Sequence, residues 1–198
     1  MTRRVQLLAL ALAIVLPAGA TVPAQTPAPT ADAVPFALVT RPRFKTFLSP
    51  IGNFQVQYPD SDWTVLSGVG DATLTLVENR SGSAFVLVER VALRTAFAPE
   101  AIPALAQQEA ATIKQRNAAA TNIRHHVLEA DKRHVVVVQY SRTGVKGPEQ
   151  VVHYAAPIGE TMYRVTCVVV EKEYARYAPI FGHIAASVQP AATPVTKK

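Results

Sequence analysis

The sequence predicts an α+β fold, an antiparallel β-sheet flanked by helices. Three observations carry that expectation. Period-two apolar patterns recur on both sides of a helical segment at Pro99–Asn117. A second helical period follows Tyr174, after the last strand pattern. Between the two lies Val135–Val138, four consecutive valines, which fits a strand covered on both faces. Strands, a helix, a strand meander and a helix, in that order, make an α/β/α sandwich around an antiparallel sheet.

The first 24 residues are set aside before the fold. Arg3-Arg4 supplies a positive start, Val5–Leu16 is apolar except for Gln6, and Ala18-Gly19-Ala20 and Val22-Pro23-Ala24 are small-x-small cleavage patterns. That is the layout of a secretory signal peptide, residues 1–24. The apolar run is shorter than the ~20 residues of a comfortable spanning helix, which weighs against an uncleaved anchor. No cysteine stands near the cleavage patterns, so a lipoprotein anchor is not expected. Cleavage takes two of the 20 Lys and Arg residues and none of the 14 acids, lowering the net charge of +6 by two. Such a balance, without aromatics among dense Lys and Arg, is no nucleic-acid signature. The expected location is periplasmic or secreted, with no integral membrane segment after cleavage.

Residues 25–42 are rich in Pro, Ala and Thr and read as a disordered tether. Residues 189–198 read as a similar tail, leaving a folded domain over 43–188. Within it, Phe44–Ser49 is a short strand, and Phe54, Val56 and Tyr58 alternate with Gln55 and Gln57 in the next. Pro59 ends that strand by removing a backbone donor. Asp60, Ser61 and Asp62 make a turn, and Trp63 re-enters the domain as an aromatic plug between sheet and helix. Leu74 and Leu76 alternate with threonines, Arg80–Ser83 turns, and Ala84–Leu93 returns as a hairpin partner.

The helix at Pro99–Asn117 places Ile102, Leu105, Ala106, Ala110 and Ile113 on one stripe, with Pro99 and Pro103 near its first turn. Ile123–Ala130 and His134–Arg142 meet across Asp131-Lys132. Glu149–Ile158 follows a Gly144–Pro148 loop, and Thr161–Glu171 follows Gly159-Glu160. The last helix carries Tyr177, Ile180, Phe181 and Ile184, with Pro179 expected at a helix start or a kink.

Several of these residues resemble the PsbP-like family. The resemblance rests on Gly52-Asn53-Phe54, on Tyr58-Pro59 followed by Trp63, on Tyr163-Arg164-Val165-Thr166-Cys167, and on Tyr174, Tyr177, Phe181, Ile184 and Ser187-Val188. It spans about Phe47 to Val188, and it makes Phe54, Tyr58, Pro59, Trp63, Tyr163 and Phe181 the fold-defining positions. The family is similar in fold to DcrB-type bacterial envelope proteins and to a Ran-binding nuclear import factor. It implies an α/β/α sandwich. PsbP itself is an extrinsic lumenal subunit of photosystem II, and the related bacterial proteins are mostly exported. The lipoprotein cysteine common among those bacterial relatives is missing here.

The chemistry-bearing residues are few. Cys167 is the only cysteine, in an apolar strand pattern, and reads as a buried small hydrophobe. Five histidines are the place to look for a metal. With a two-residue turn at Asp131-Lys132, His126 faces Val137 and His134 faces Glu129. If the next loop keeps register, His153 also faces Val137. His126 and His153 would then flank one strand in a row, with Cα atoms ~10 Å apart, and are the candidate metal ligands. Asp60 and Asp62 beside Trp63 imitate a glycosidase pair but lack an apolar setting that would raise one pKa. Neither Gly-x-Ser-x-Gly nor a phosphate loop is present.

The leading expectation is therefore an exported, non-enzymatic binding or assembly module whose partner is an envelope protein, with no cofactor. The alternatives are a small-ligand or metal-binding envelope protein using the strand histidines, and a hydrolase around Asp60 and Asp62. Oligomeric state is left open by the sequence.

Overall fold

The structure, a computed structural model, describes residues 42–49, 52–67, 73–130 and 133–191. The expected signal peptide, nearly all of the tether, the Asp131-Lys132 turn and the tail beyond residue 191 lie outside the described residues. Among the described residues ten strands form two sheets, where one sheet was expected.

The small sheet comes first. Strand β1 (Phe44–Ser49) pairs antiparallel with β2 (Phe54–Pro59), with Phe47 opposite Val56. The turn between them depends on Gly52-Asn53. Asn53 takes a left-handed conformation at φ 49, which its short polar side chain tolerates. The Phe54 ring lies against Gly52 so closely that a Cβ there would collide with it. The Gly-x-Phe pattern is thus a packing requirement. On its other side β2 pairs with β10 (Gln189–Pro190), so the tail expected from Gln189 begins with two residues of strand. Pro190 is tolerated because β10 is an edge.

At Pro59 the chain leaves one sheet for the other. The Asp60 N–H donates to the Arg43 carbonyl at 2.7 Å, holding the strand end. Asp62 turns through φ 63, and β3 (Trp63–Ser67) opens the second sheet. Trp63 is buried edge-to-face on Tyr177, with ring centroids 6.3 Å apart, and Tyr177 stacks on Phe181. The largest aromatic therefore stands at the corner where two sheets and a helix meet.

β4 (Leu74–Glu78) and β5 (Ala84–Ala92) form the next hairpin. The Glu78 carboxylate closes it, accepting the Arg80 and Ser81 N–H groups at 2.9 Å each and the Ser81 hydroxyl at 2.7 Å. Burial pushes the Glu78 pKa up, but these bonds, led by Ser81, outweigh it and lower the pKa.

A short 3-10 turn at Pro99–Ala101 leads into α1 (Ile102–Arg116). The strands β6 (Thr121–Ala130), β7 (Arg133–Gly144), β8 (Gly147–Ile158) and β9 (Thr161–Val170) follow, and then α2 (Tyr174–Ser187). Pro179 lies inside α2 rather than at its start. It forgoes one backbone bond, and the helix continues because Phe181, Ile184 and Ala185 are buried beyond it.

The large sheet has the order β3-β4-β5-β9-β8-β7-β6, with every neighbouring pair antiparallel. Alternation along its strands makes two apolar faces. One packs Leu74, Leu76, Val86, Val88, Tyr163, Val165 and Cys167 against α2 and the small sheet. The other packs Val136, Val138, Ala155 and Met162 against Ile102, Leu105 and Ala106 of α1. The valine run divides as expected, with Val136 and Val138 toward α1 and Val137 toward α2. The result is an α+β sandwich. No helix among the described residues is long and apolar enough to cross a membrane.

Candidate functional site

The position of each histidine follows from one hairpin. β7 and β8 are joined by two residues, Val145 and Lys146, so that Gly144 pairs with Gly147, whose φ is 106. Pro148 is drawn into the strand opposite Thr143, beyond the Glu149–Val170 pair where the contact with β9 ends. His153 therefore faces Val138, one residue away from the expected Val137. A one-residue change of register moves a side chain to the other face.

The expected His126–His153 row is corrected by this. His126 does face Val137, but the third member of its row is Tyr154, on the α2 side. His153 shares its row with His125, Val138 and Thr166, on the α1 side. His126 is exposed, whereas His153 is buried. The two cannot bind one ion. Among the described residues no group of three His, Cys, Asp or Glu side chains is placed to hold a metal. Glu129 and His134 do face each other across β6 and β7.

Among the described residues a buried group of ionisable side chains meets beneath α1. Glu109 sits at the seventh position after Ile102 and the fourth after Leu105, so helical periodicity turns it into the sheet with them. Its side chain is 6 % exposed. The Arg164 Nη2 donates to Glu109 Oε1 at 2.7 Å. His153 Nε2 lies 3.3 Å from Glu109 Oε2, near in distance but off the line of a hydrogen bond. On its other side, His153 Nδ1 is 2.9 Å from Thr166 Oγ1. Burial alone would raise the Glu109 pKa. The His153 and Arg164 contacts overcome that and hold it at about 2, so the carboxylate is charged at neutral pH. A charged carboxylate facing Nε2 favours a proton on that nitrogen, and with Nδ1 unprotonated the Thr166 hydroxyl can donate to it.

Carboxylate, imidazole and hydroxyl in succession are the parts of an activated nucleophile. Three features oppose that use. The carboxylate is shared with Arg164 and misaligned with the ring. Thr166 lies within β9 and is paired on both sides, to Leu87 and to His153, so its backbone serves the sheet ladder rather than an oxyanion. The α1 helix closes over the imidazole and leaves it about nine-tenths buried. The arrangement is suited to pinning α1 onto β8 and β9.

Other residues fall in place around this. Asp60 and Asp62 are well exposed and lie within 3.5 Å of Lys45 and 3.2 Å of Arg80, as surface ion pairs. Cys167 is fully buried on the α2 face, and burial pushes its thiol well above the usual range, so it is no nucleophile. A shallow hollow of about 450 Å³ between α1 and β6 is lined by Ala110, Lys114, Ile123 and His125 among others. Its two ionisable side chains are exposed, so it offers no desolvated pair. His183 bridges α2 to the small sheet through Gln57 at 2.9 Å and stacks on Phe44. Phe54, Tyr58, Trp63, Tyr163 and Phe181 are all buried in the α2-side core, and Pro59 ends β2. Glu109 carries no motif in the sequence, and Arg164 stands there only as part of the Tyr163–Cys167 pattern. Their signal was a lone acid on the buried stripe of α1 and a lone Arg among the inward positions of β9.

No protein-family model matches the chain, and no curated protein matches it in sequence. Solved structures do. The chain is similar to the cyanobacterial PsbP, CyanoP, of Synechocystis sp. PCC 6803, at TM-score 0.59 and 9 % identity, covering 77 % of this chain and 95 % of that one. It is also similar to LpqN of Mycobacterium tuberculosis, involved in cell envelope biogenesis, at TM-score 0.52 and 10 % identity, covering 69 % and 82 %. A protein of Bacteroides thetaiotaomicron VPI-5482 matches at TM-score 0.53 and 14 % identity; 78 % of this chain is covered, but only half of that longer one. At these identities the likeness is one of fold. The two helices, the antiparallel sheets and this likeness together give the chain a PsbP-like fold.

Proposed function

We propose that this chain is an exported, non-enzymatic binding or assembly module of the PsbP-like type, acting through protein–protein contacts in the cell envelope. One observation carries the reading. β6 is ten residues long and, among the described residues, has a strand neighbour on one side only. Nearly every residue along it is exposed, including Val127 at 38 % and Leu128 at 45 %. A long edge strand with exposed apolar side chains offers unpaired backbone groups to another chain, and natural sheets usually protect such edges. The opposite edge, β3, has five residues. Support for the envelope comes from the N-terminal Arg3-Arg4 and Val5–Leu16 pattern and from the envelope role named for LpqN. The ionisable cluster beneath α1 supports a non-enzymatic role, because its groups are turned toward one another.

The test is capture from envelope extract by the tagged protein, with and without chelator, alongside a Val127→Lys variant. The reading predicts a protein partner retained in chelator and lost with Val127→Lys. A partner lost only in chelator would place an ion in the contact. Equal capture by both variants would remove β6 from the contact surface.

A further inference from the structure

The occupant of the β6 edge can be read from its own pattern. The strand is irregular where it begins, with a register shift between Thr121 and Arg124 and Asn122 at φ 54. From Arg124 to Ala130 its pairing with β7 is regular. That regular stretch is centred on Val127. A two-fold axis perpendicular to the sheet through Val127 would bring a second copy's β6 alongside, antiparallel, over the whole regular stretch.

Such an axis keeps each face of the sheet continuous, so odd-numbered residues meet odd-numbered ones. His125, in the row of Val138 and His153, shares the α1 face with Val127 and Glu129. With the axis at Val127, His125 of each copy faces Glu129 of the other, twice by symmetry. The imidazole can donate to the carboxylate, and the two exposed valines cover one another on the axis. On the opposite face His126 lies beside Leu128 of the second copy. Moving the axis by one residue destroys this. Centred on His126, the two His126 side chains face each other and Arg124 faces Leu128. Centred on Leu128, Glu129 faces Val127. Of these three centres only Val127 gives the carboxylate a donor, and it alone uses the full regular length.

We infer that β6 pairs with β6 of a second copy of this chain, in the register that places Val127 on the two-fold axis. This rests on the reading of β6 as a contact surface and names its partner. Seven paired residues on each side bury little area, so the dimer is weak and depends on concentration.

The experiment uses a cysteine at the axis. Opposed residues of an antiparallel pair have Cα atoms ~4.5–5.5 Å apart, within the ~4.4–6.8 Å span of a disulfide. Cys167 is buried and the only native cysteine, so Val127→Cys adds the one accessible thiol. Val145→Cys, at the fully exposed tip of the β7–β8 hairpin, is the control. Under mild oxidation Val127→Cys is expected to give a disulfide-linked dimer at protein concentrations where Val145→Cys does not. Light scattering of the unmodified protein should show mass rising with concentration, and Val127→Lys should hold it at the monomer without lowering the thermal midpoint. A protein that stays monomeric across the series, with no more linkage at 127 than at 145, overturns the self-pairing. If Val127→Lys at the same time loses a different protein in the capture assay, the edge still works as a contact surface and only the identity of its partner was wrong.

Discussion

The two faces of the large sheet are closed by different means. Toward α2, Phe54, Tyr163, Phe181 and Ile184 form an apolar and aromatic layer in which the fit of shapes does the holding. Toward α1, Leu105 and Ala106 pack on Val136 and Val138, but one stripe position is a carboxylate, bridged to His153 and Arg164. The first face tolerates loss of volume poorly. The second tolerates loss of a partner poorly, because a buried charge without its counter-charge has neither water nor protein to stabilise it. The comparison also separates roles. Among the described residues the groups beneath the helices are turned toward one another, and β6 is the edge proposed to meet another molecule.

Phe181→Ala should have the largest effect. The ring is fully buried, and its removal should cost about 3–5 kcal/mol in urea unfolding. Glu109→Ala comes next. Removing one member of a buried pair costs about 3–5 kcal/mol, and this case should lie near the lower figure because Arg164 is 30 % exposed and can turn to water. The two variants should differ in place as well as in size. Amide exchange should quicken in α1 for Glu109→Ala and in α2 for Phe181→Ala. Quickening of both helices in either variant would mean that the faces are not separate.

Acid gives the next smaller effect. The Glu109 pKa is lowered from 4.5 to about 2 on folding, so the unfolded chain takes up a proton first. The stability owed to the charged carboxylate is fully present above about pH 4.5 and is lost as pH falls toward 2. The native protein should therefore lose stability more steeply across that window than Glu109→Gln. Parallel curves would place the ion pair outside the energetics of the fold. Smaller still is the change expected when Glu109→Met, Arg164→Met and His153→Leu are combined. Replacing a whole buried charge cluster with apolar groups of like volume is near neutral or stabilising. A large loss with the triple variant, measured as above, would mean that the cluster specifies something beyond cohesion. Val127→Lys should change stability least, within about 0.5 kcal/mol, since its side chain touches water.

Much of the fold was legible in the sequence because it depends on local rules. Pro59 with the Asp60–Asp62 turn marked the corner, and the valine run marked a strand with two covered faces. The helical stripe of α1 was found from Ile102, Leu105 and Ala106. Two sheets could not be told from one, since strand alternation states which face is apolar but not which strand lies beside it. The candidate site was harder. His153 falls on the other face because hairpin length sets register: the two-residue Val145-Lys146 turn pairs Thr143 with Pro148, where the expected register would pair it with Gly147. Glu109 is not legible as a site in the sequence, because an acid on an apolar stripe has no explanation without Arg164 and His153 beneath it. Those partners are 55 and 44 residues away along the chain, beyond the reach of any local pattern.

The central claim is that this protein works by contact, through β6. It is tested most directly by placing a photo-crosslinking amino acid at position 127 in living cells, with position 145 as the control. A light-dependent adduct with a protein, formed at 127 and not at 145, is the predicted result, and its mass tells a second copy from another chain. Adducts formed at 145 alone, or none at 127 while the protein is folded and present, would contradict the account.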